Sequence, residues 1–213
     1  GIAHEFRNPL AAISGAAQVL ENDFEPGTPS KSLMNIIVRE CDRLEGTISE
    51  FLQFSKPATP EKSWISLRGI VEEARDLLQQ KKDWGEQFHV QTKIPENLDC
   101  WGDARQIKQI FLNLMENARN AMEQTGGVIT VSAEEINEDE QEKTLLHITD
   151  TGPGIAQKHR ERIFEPFFTT RENGTGLGLA IVRQLVESHG GGIWLEENQQ
   201  QSGTTFSFTL PLP

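Results

Sequence analysis

Positive charge is scarce in this sequence. Lys and Arg number 20 against 32 Asp and Glu, and the formal net charge of −12 argues against a nucleic-acid binder, which needs a basic stripe or patch. A nucleotide ligand stays open, because backbone amides and Mg²⁺ neutralise phosphates locally. Cysteine is scarcer. Cys41 and Cys100 are the two, far apart and without metal-ligand spacing, and read as free buried thiols of a reducing compartment, the cytoplasm. Long apolar runs are missing, so no membrane helix and no signal peptide is expected. There is no internal repeat and no low-complexity segment. The 213 residues, 36% hydrophobic and 24% charged, suffice for one large or two small cores and argue against disorder. An initiator Met is lacking, as is any cap before the first helical pattern. Gly1-Ile2-Ala3 opens in mid-helix, and the chain is expected to be a fragment whose upstream part is missing.

What is present begins with two helical patterns. Ile2, Phe6, Leu10, Ile13, Ala17 and Leu20 recur at steps of three and four residues up to about Glu21. Pro26, Gly27 and Pro29 then break the pattern. Thr28 caps a second helix, with Pro29 at its first position, that runs to about Ser55. Met34, Ile37, Cys41, Leu44, Ile48 and Phe51 form a coiled-coil-like seam on it. A single hairpin with so narrow a seam cannot hide its apolar face, so a second copy is expected to complete a four-helix bundle. Lys56-Pro57-Ala58-Thr59-Pro60 ends the hairpin, because proline cannot continue a helix. Residues 57–63 read as a linker and 64–213 as a second domain. There, Leu67 to about Lys82 is expected to be helical and Gln87 to Ile94 a strand. Asp103-x-x-Gln106 resembles a capping box opening a helix to about Met122. Strands are expected over Val128–Glu134, Leu145–Asp150, Gly192–Glu196 and Thr204–Leu210, and a helix over Gly176–His189. The sum is an α/β sandwich with helices on one face of a largely antiparallel sheet.

Three glycine- and amide-rich clusters carry chemistry in that domain. Asn113, Asn117 and Asn120 share one helical face beside the apolar stripe Ile107, Ile110, Phe111, Leu114, Ala118 and Ala121. A solvated face is the bland alternative, but three amides in register suit Mg²⁺, whose remaining ligands are waters and phosphates. Asp150-Thr151-Gly152-Pro153-Gly154 follows a strand, so its carboxylate can accept the exocyclic amine of adenine while glycines admit the ring; a plain turn is the alternative. Gly174-Thr175-Gly176-Leu177-Gly178 opens a helix and offers an anion site without a lysine. It is not a P-loop, since no Gly-Lys-Ser/Thr follows. Between the last two clusters, the stretch containing Phe164, Phe168 and Arg171 reads as a lid, with Arg171 near the phosphates. At the chain start, His4 has Glu5 beside it and Asn8 one turn on. A lone helical histidine is ordinarily structural. Here Pro9 should bend the helix near His4, Glu5 can take the imidazole proton as a ring nitrogen attacks phosphorus, and Asn8 can orient a water in the reverse reaction.

Taken in order, His4–Pro9, Asn113–Asn120, Asp150–Gly154, Phe164–Phe168 and Gly174–Leu179 resemble the H, N, G1, F and G2 boxes of bacterial sensor histidine kinases. The likeness covers nearly the whole chain. The phosphoacceptor part resembles the HisKA class, and Asn-Pro-Leu after the histidine is similar to the nitrogen-regulator and pilus-regulator kinases. The resemblance implies half of a dimeric helical bundle over 1–56, its first helix truncated, followed by a Bergerat-type ATP-binding domain of the kind shared with chaperone and topoisomerase ATPases. It implies ATP and Mg²⁺ as cofactors, His4 as phosphoacceptor, Glu5 as general base and Asn8 as the phosphatase residue. Asn117 would hold the metal, Asn113 would lie close to the phosphates, and Asp150 would bind adenine. Gly152, Gly154, Gly174, Gly176 and Gly178, with Thr175 and Leu177, would shape the pocket and lid hinges, and Thr204 would support the adenine pocket. Asn120 stands where many relatives carry a basic residue. His89, His147, His159 and His189 match no box and read as structural.

The implied partners are a response-regulator receiver domain and a second copy of the chain, with no nucleic acid. A membrane would enter only through the missing upstream region. The truncated hairpin is expected to dimerise weakly. Two other readings stand beside this one. An ATPase of the chaperone, topoisomerase or mismatch-repair type would lack the His-Glu-x-x-Asn helix and carry a catalytic Glu near Asn113. A non-catalytic nucleotide-binding scaffold would have lost boxes that are intact here.

Overall fold

The sequence opens with two helices. In a computed structural model, which describes residues 2–25, 27–56, 58–81, 84–138, 140–171, 174–196 and 202–213 and no side chains of residues 2–7, they are α1 (Ile2–Asn22) and α2 (Pro29–Ser55). Thr28 begins α2 as read from the sequence: its hydroxyl accepts from the Lys31 N–H at 3.3 Å, and Pro29 follows where no amide proton is needed. Pro9 lies inside α1. The helices pair as a hairpin, yet among its described side chains only Ala17 and Cys41 of the apolar set are buried. Leu44 and Phe51, both on the expected seam, are 50% and 48% exposed, and Ile13, Val19 and Leu33 are more exposed still. One hairpin therefore leaves most of its apolar surface in water.

The chain divides into two compact units, residues 1–56 and 57–213. The second starts with β1 (Ser63–Ser66), α3 (Leu67–Gln79), β2 (Phe88–Lys93), β3 (Asp99–Gly102) and α4 (Ala104–Ala121). The hairpin strands β4 (Gly127–Glu138) and β5 (Gln141–Asp150) come next, then the short α5 (Gln157–Arg160), α6 (Gly178–Ser188), β6 (Ile193–Leu195) and β7 (Thr204–Pro211). Five strands form one sheet in the order β2-β4-β5-β7-β6. Only β2 runs parallel to its neighbour β4; the other pairs are antiparallel. Alternation along β5 buries Leu146 and Ile148 on the helix-covered face and sends His147 and Thr149 to the other. There His147 Nδ1 meets Ser207 Oγ at 2.7 Å, and the Thr149 and Thr205 hydroxyls lie 3.0 Å apart. On the helix side, Ile107, Phe111, Leu114 and Met115 of α4 are fully buried with Val71 and Leu78 of α3 and Val182 of α6. Each such side chain contributes about 1.5–3 kcal/mol of burial. Phe111 and Phe208, ring centroids 6.2 Å apart, join helix layer to sheet. A small second sheet pairs β1 with β3, placing Trp64 opposite Trp101 with ring centroids 5.6 Å apart.

The stretch read as a linker is partly docked. The Glu61 N–H donates to Asp103 Oδ2 at 3.0 Å, Gln106 Nε2 donates to the Ala58 carbonyl at 2.9 Å, and Lys62 Nζ donates to the His189 carbonyl at 2.8 Å. Asp103 also caps α4, accepting from the Arg105 and Gln106 amides at 2.9 and 3.2 Å. Burial raises the Asp103 carboxyl, but these three N–H groups outweigh it and hold it below its ordinary value. His189 closes the cluster. Its Nδ1 donates to the Leu185 carbonyl at 2.8 Å, so Nε2 is the acceptor for the Asp103 N–H at 3.1 Å and the ring is neutral.

Burial holds the His189 pKa below 6.5, assisted by Lys62 and opposed by the Leu185 carbonyl and Asp103. The unfolded ring takes a proton near pH 6.5 while the folded one does not, so stability falls as pH drops below that value, by at most about 1.4 kcal/mol per pH unit. Trp64, Trp84, Trp101 and Trp194 all lie in this unit. Urea titrations followed by tryptophan fluorescence are expected to show a lower midpoint at pH 5.5 than at 7.5, with a smaller drop in His189→Gln. An equal drop in that variant would assign the acid sensitivity elsewhere.

Candidate nucleotide site

The second unit places one row of amides along α4. Asn113 and Asn117 face the first turn of α6, and Gln109 precedes them in the same row. Asn113 Nδ2 donates to the Gly178 carbonyl at 3.3 Å, and Gln109 Nε2 donates to Asn113 Oδ1 at 2.8 Å. A side chain on Gly178 would come within 4.0 Å of Asn117 Nδ2, so these two residues are neighbours. Asn120 is drawn elsewhere: its Oδ1 accepts from Arg119 Nη1 at 2.7 Å, and the Arg119 guanidinium lies 6.0 Å from the Phe88 ring centroid.

Asp150, 5% exposed, ends β5. Its Oδ1 accepts from the Gly152 N–H at 2.8 Å and from the Thr204 N–H at 3.3 Å. Burial raises the carboxyl pKa, and those amides with the Thr204 hydroxyl pull the other way without overcoming it. Thr204 thus meets Asp150 across the sheet, as the β5–β7 register requires. Gly203 permits this approach. Its φ is +119°, and a Cβ there would run into the Asp150 carbonyl. Gly154, at φ +80°, faces the Gly203 carbonyl, and Gly152 packs on Met122 at the end of α4. The Thr151 hydroxyl accepts from the Val128 N–H at 3.1 Å. The loop is thereby fixed to both β4 and α4.

The segment between the glycine clusters is built around its phenylalanines. Phe164, half-buried, sits edge-on to Phe206 of β7, centroids 6.1 Å apart. Phe168 stacks beside His159 at 5.5 Å with the Arg162 guanidinium 4.5 Å over it. Phe167 is exposed, and its N–H donates to the Gly176 carbonyl at 3.0 Å. Gly176 has φ +70°, and any side chain there would strike the Phe167 backbone. Arg171 is exposed, its N–H held by Thr169 Oγ1 and its carbonyl by the Gly174 N–H. The Thr175 hydroxyl accepts from the Leu177 N–H at 3.3 Å, and Leu177 is fully buried. Among the described residues the N-cap position Leu177 makes no side-chain cap to α6, and helix N-terminal N–H groups suit an anion.

The geometry thus brings together Asn113, Asn117 and Gly178, and separately Asp150, Gly152, Gly154 and Thr204. It adds Gln109, Met122 and Gly203, which sequence reasoning did not select. Gln109 continues the four-residue spacing of the asparagines, the one signal that could have found it. Asn8 is exposed on α1 of the first unit. The side chains of His4 and Glu5 lie outside the described residues. The site offers a buried acceptor for an amine, the Asn117 amide oxygen for a hard cation and a helix N-terminus for phosphate. That donor set fits a magnesium nucleotide.

The family model of histidine kinase-, DNA gyrase B-, and HSP90-like ATPases matches residues 102–213, and that of the His Kinase A (phospho-acceptor) domain matches residues 1–60. Among known proteins, the chain is similar to the sensor histidine kinase ZraS of Salmonella typhi, 35% identical over all of this chain and 44% of that protein. It is equally similar to sporulation kinase A of Bacillus subtilis, 35% identical over 99% of this chain and 34% of the relative. The chain spans less than half the length of these two relatives. Full-length ShkA in complex with AMPPNP superposes with a TM-score of 0.78 at 27% identity, over 99% of this chain and 44% of that one. Histidine kinase ThkA in complex with the response regulator protein TrrA gives 0.67 at 32% identity, over 99% and 59%.

Proposed function

The chain belongs to the sensor histidine kinases, a phosphoacceptor domain followed by an ATPase domain, and from that premise we propose how its residues divide the reaction. Residues 1–56 form the dimerisation and phosphotransfer hairpin, 57–63 the connection, and 64–213 the ATP-binding domain. The buried Asp150 carboxylate, its Oδ1 held by two backbone amides, carries this reading: it accepts the adenine amine. Asn117 would supply an amide oxygen to Mg²⁺, which would offset charge on the phosphates. The α6 N-terminus and the Gly174–Gly178 loop receive those phosphates, with Arg171 and the Phe164–Phe168 segment as lid.

His4 attacks the γ-phosphorus through Nε2 while Glu5 accepts the proton from Nδ1. A nitrogen–phosphorus bond forms, the bond to the β,γ-bridging oxygen breaks, and ADP leaves with that electron pair. The chain contributes mostly positioning and charge neutralisation. The phosphoryl group then passes to an aspartate of a response-regulator receiver domain, the class of partner held by ThkA in its complex. Asn8, exposed one helical turn from His4, orients water when that regulator is dephosphorylated. The apolar surface left open on the hairpin fits a second copy of it, completing a four-helix bundle.

Incubation with Mg-ATP labelled at the γ-phosphate tests the central claim. Acid-labile, base-stable label on this chain is the expected result. Nucleotide binding without any such label, even after the first helix is extended upstream, would reduce the assignment to a binding scaffold.

A further inference from the structure

The amide row of α4 contains a hydrogen-bond chain whose direction is forced. A carbonyl oxygen only accepts, so the contact to Gly178 must come from the Asn113 NH₂ group. That orientation turns Asn113 Oδ1 towards Gln109, which must then donate from Nε2, as the 2.8 Å contact has it. Gln109 lies one turn before Asn113 on α4, and both are partly buried. Gly178 is the first residue of α6, whose N-terminus has no side-chain cap. A brace from Gln109 through Asn113 therefore ends on the helix turn assigned to the phosphates. With its oxygen committed to Gln109, Asn113 leaves Asn117, beside Gly178, as the amide open to a metal.

We propose that Gln109 is a positioning residue for Mg-ATP: it fixes the Asn113 amide so that its NH₂ group braces the first turn of α6. This rests on the reading of the site as a magnesium-nucleotide pocket. Gln109 touches no substrate; it acts through Asn113.

Two substitutions of similar length separate hydrogen bonding from packing. Gln109→Met can neither donate nor accept, and Gln109→Glu, when ionised, only accepts. Binding of a non-hydrolysable Mg-ATP analogue is measured by calorimetry with the thermal midpoint as a check on folding. Gln109→Met is expected to weaken binding about fivefold, the worth of one hydrogen bond. Its apparent KM for ATP should rise by the same factor, with kcat within about twofold. At pH 8, Gln109→Glu should weaken binding further. Its ratio to wild type should recover as pH falls to about 4, where the carboxyl is mostly protonated and again donates; Asp150 and His189 are common to both proteins and cancel. In an Asn113→Ala background, Gln109→Met should have no further effect. Wild-type binding matched by Gln109→Met, or an equal loss with Asn113 absent, would overturn the brace alone. Failure of the wild type itself to bind the analogue would overturn the nucleotide pocket and the brace with it.

Discussion

Replacing His4 by Gln is expected to abolish the acid-labile label, by at least about a hundredfold, while Mg-ATP binding stays within about twofold. Glutamine keeps a polar side chain of comparable reach but has no basic ring nitrogen, so no nitrogen–phosphorus bond can form. All the nucleotide-site residues assigned above lie between 103 and 204, in the unit that begins at residue 57. Removing the acceptor should therefore leave occupancy of the pocket intact. Label persisting in His4→Gln would place the phosphoacceptor elsewhere, with His159 the first to examine, since its ring packs against Phe168 of the lid segment. Loss of label together with loss of binding would instead indicate that the variant disturbs the ATP domain.

Asp150→Asn should change which base is bound. The Gly152 and Thr204 amides both point at one carboxylate oxygen and accept nothing. The asparagine oxygen must stay with them, which turns its NH₂ group towards the base. There it meets the adenine amine donor to donor. The lost hydrogen bond and the unpaired buried donor together cost about 2 kcal/mol or more, so ATP binding should weaken at least about thirtyfold. The same NH₂ group suits a 6-oxo purine, and the variant should bind inosine triphosphate better than wild type does. Calorimetric titration with both nucleotides reads this directly. ATP affinity within threefold of wild type would remove Asp150 from base recognition. Folding should not suffer at neutral pH, because burial disfavours the native carboxylate. Its raised pKa makes the wild type gain stability on acidification through that pKa, opposite in sign to His189, and the variant should lack that gain.

Much of this architecture was legible because its signals were strong. Thr28-Pro29 and Asp103 began their helices where capping chemistry put them, and the stripe of α4 was buried as its period required. Other features gave weaker signals. The strands β1 and β3 are four residues each, and their pairing, with Trp64 opposite Trp101, joins segments far apart in sequence that no local pattern links. The β4–β5 hairpin extends beyond the expected strands because its outer residues, such as Glu135, Asn137 and Glu138, are exposed and carry no apolar alternation. In the site, glycine clusters and paired amides announced themselves by composition. Gln109 and Gly203 did not, since one acts through a neighbour and the other by lacking a side chain beside a distant strand. The narrow seam of α2 correctly forewarned of unburied surface, though it could not say that Leu44 and Phe51 would be half exposed in a single hairpin.

The docking of residues 58–62 has a consequence for reach. Seven free residues, 57–63, would form a leash of about 25 Å when fully drawn out. With Ala58 fastened to Gln106 and Glu61 to Asp103, the first fastened residue is three peptide units from Ser55, about 11 Å of chain at most. Chain length from Ser55 to the first fastened residue is those three units. Releasing the strap from Gln106, Asp103 and His189 together would more than double that length.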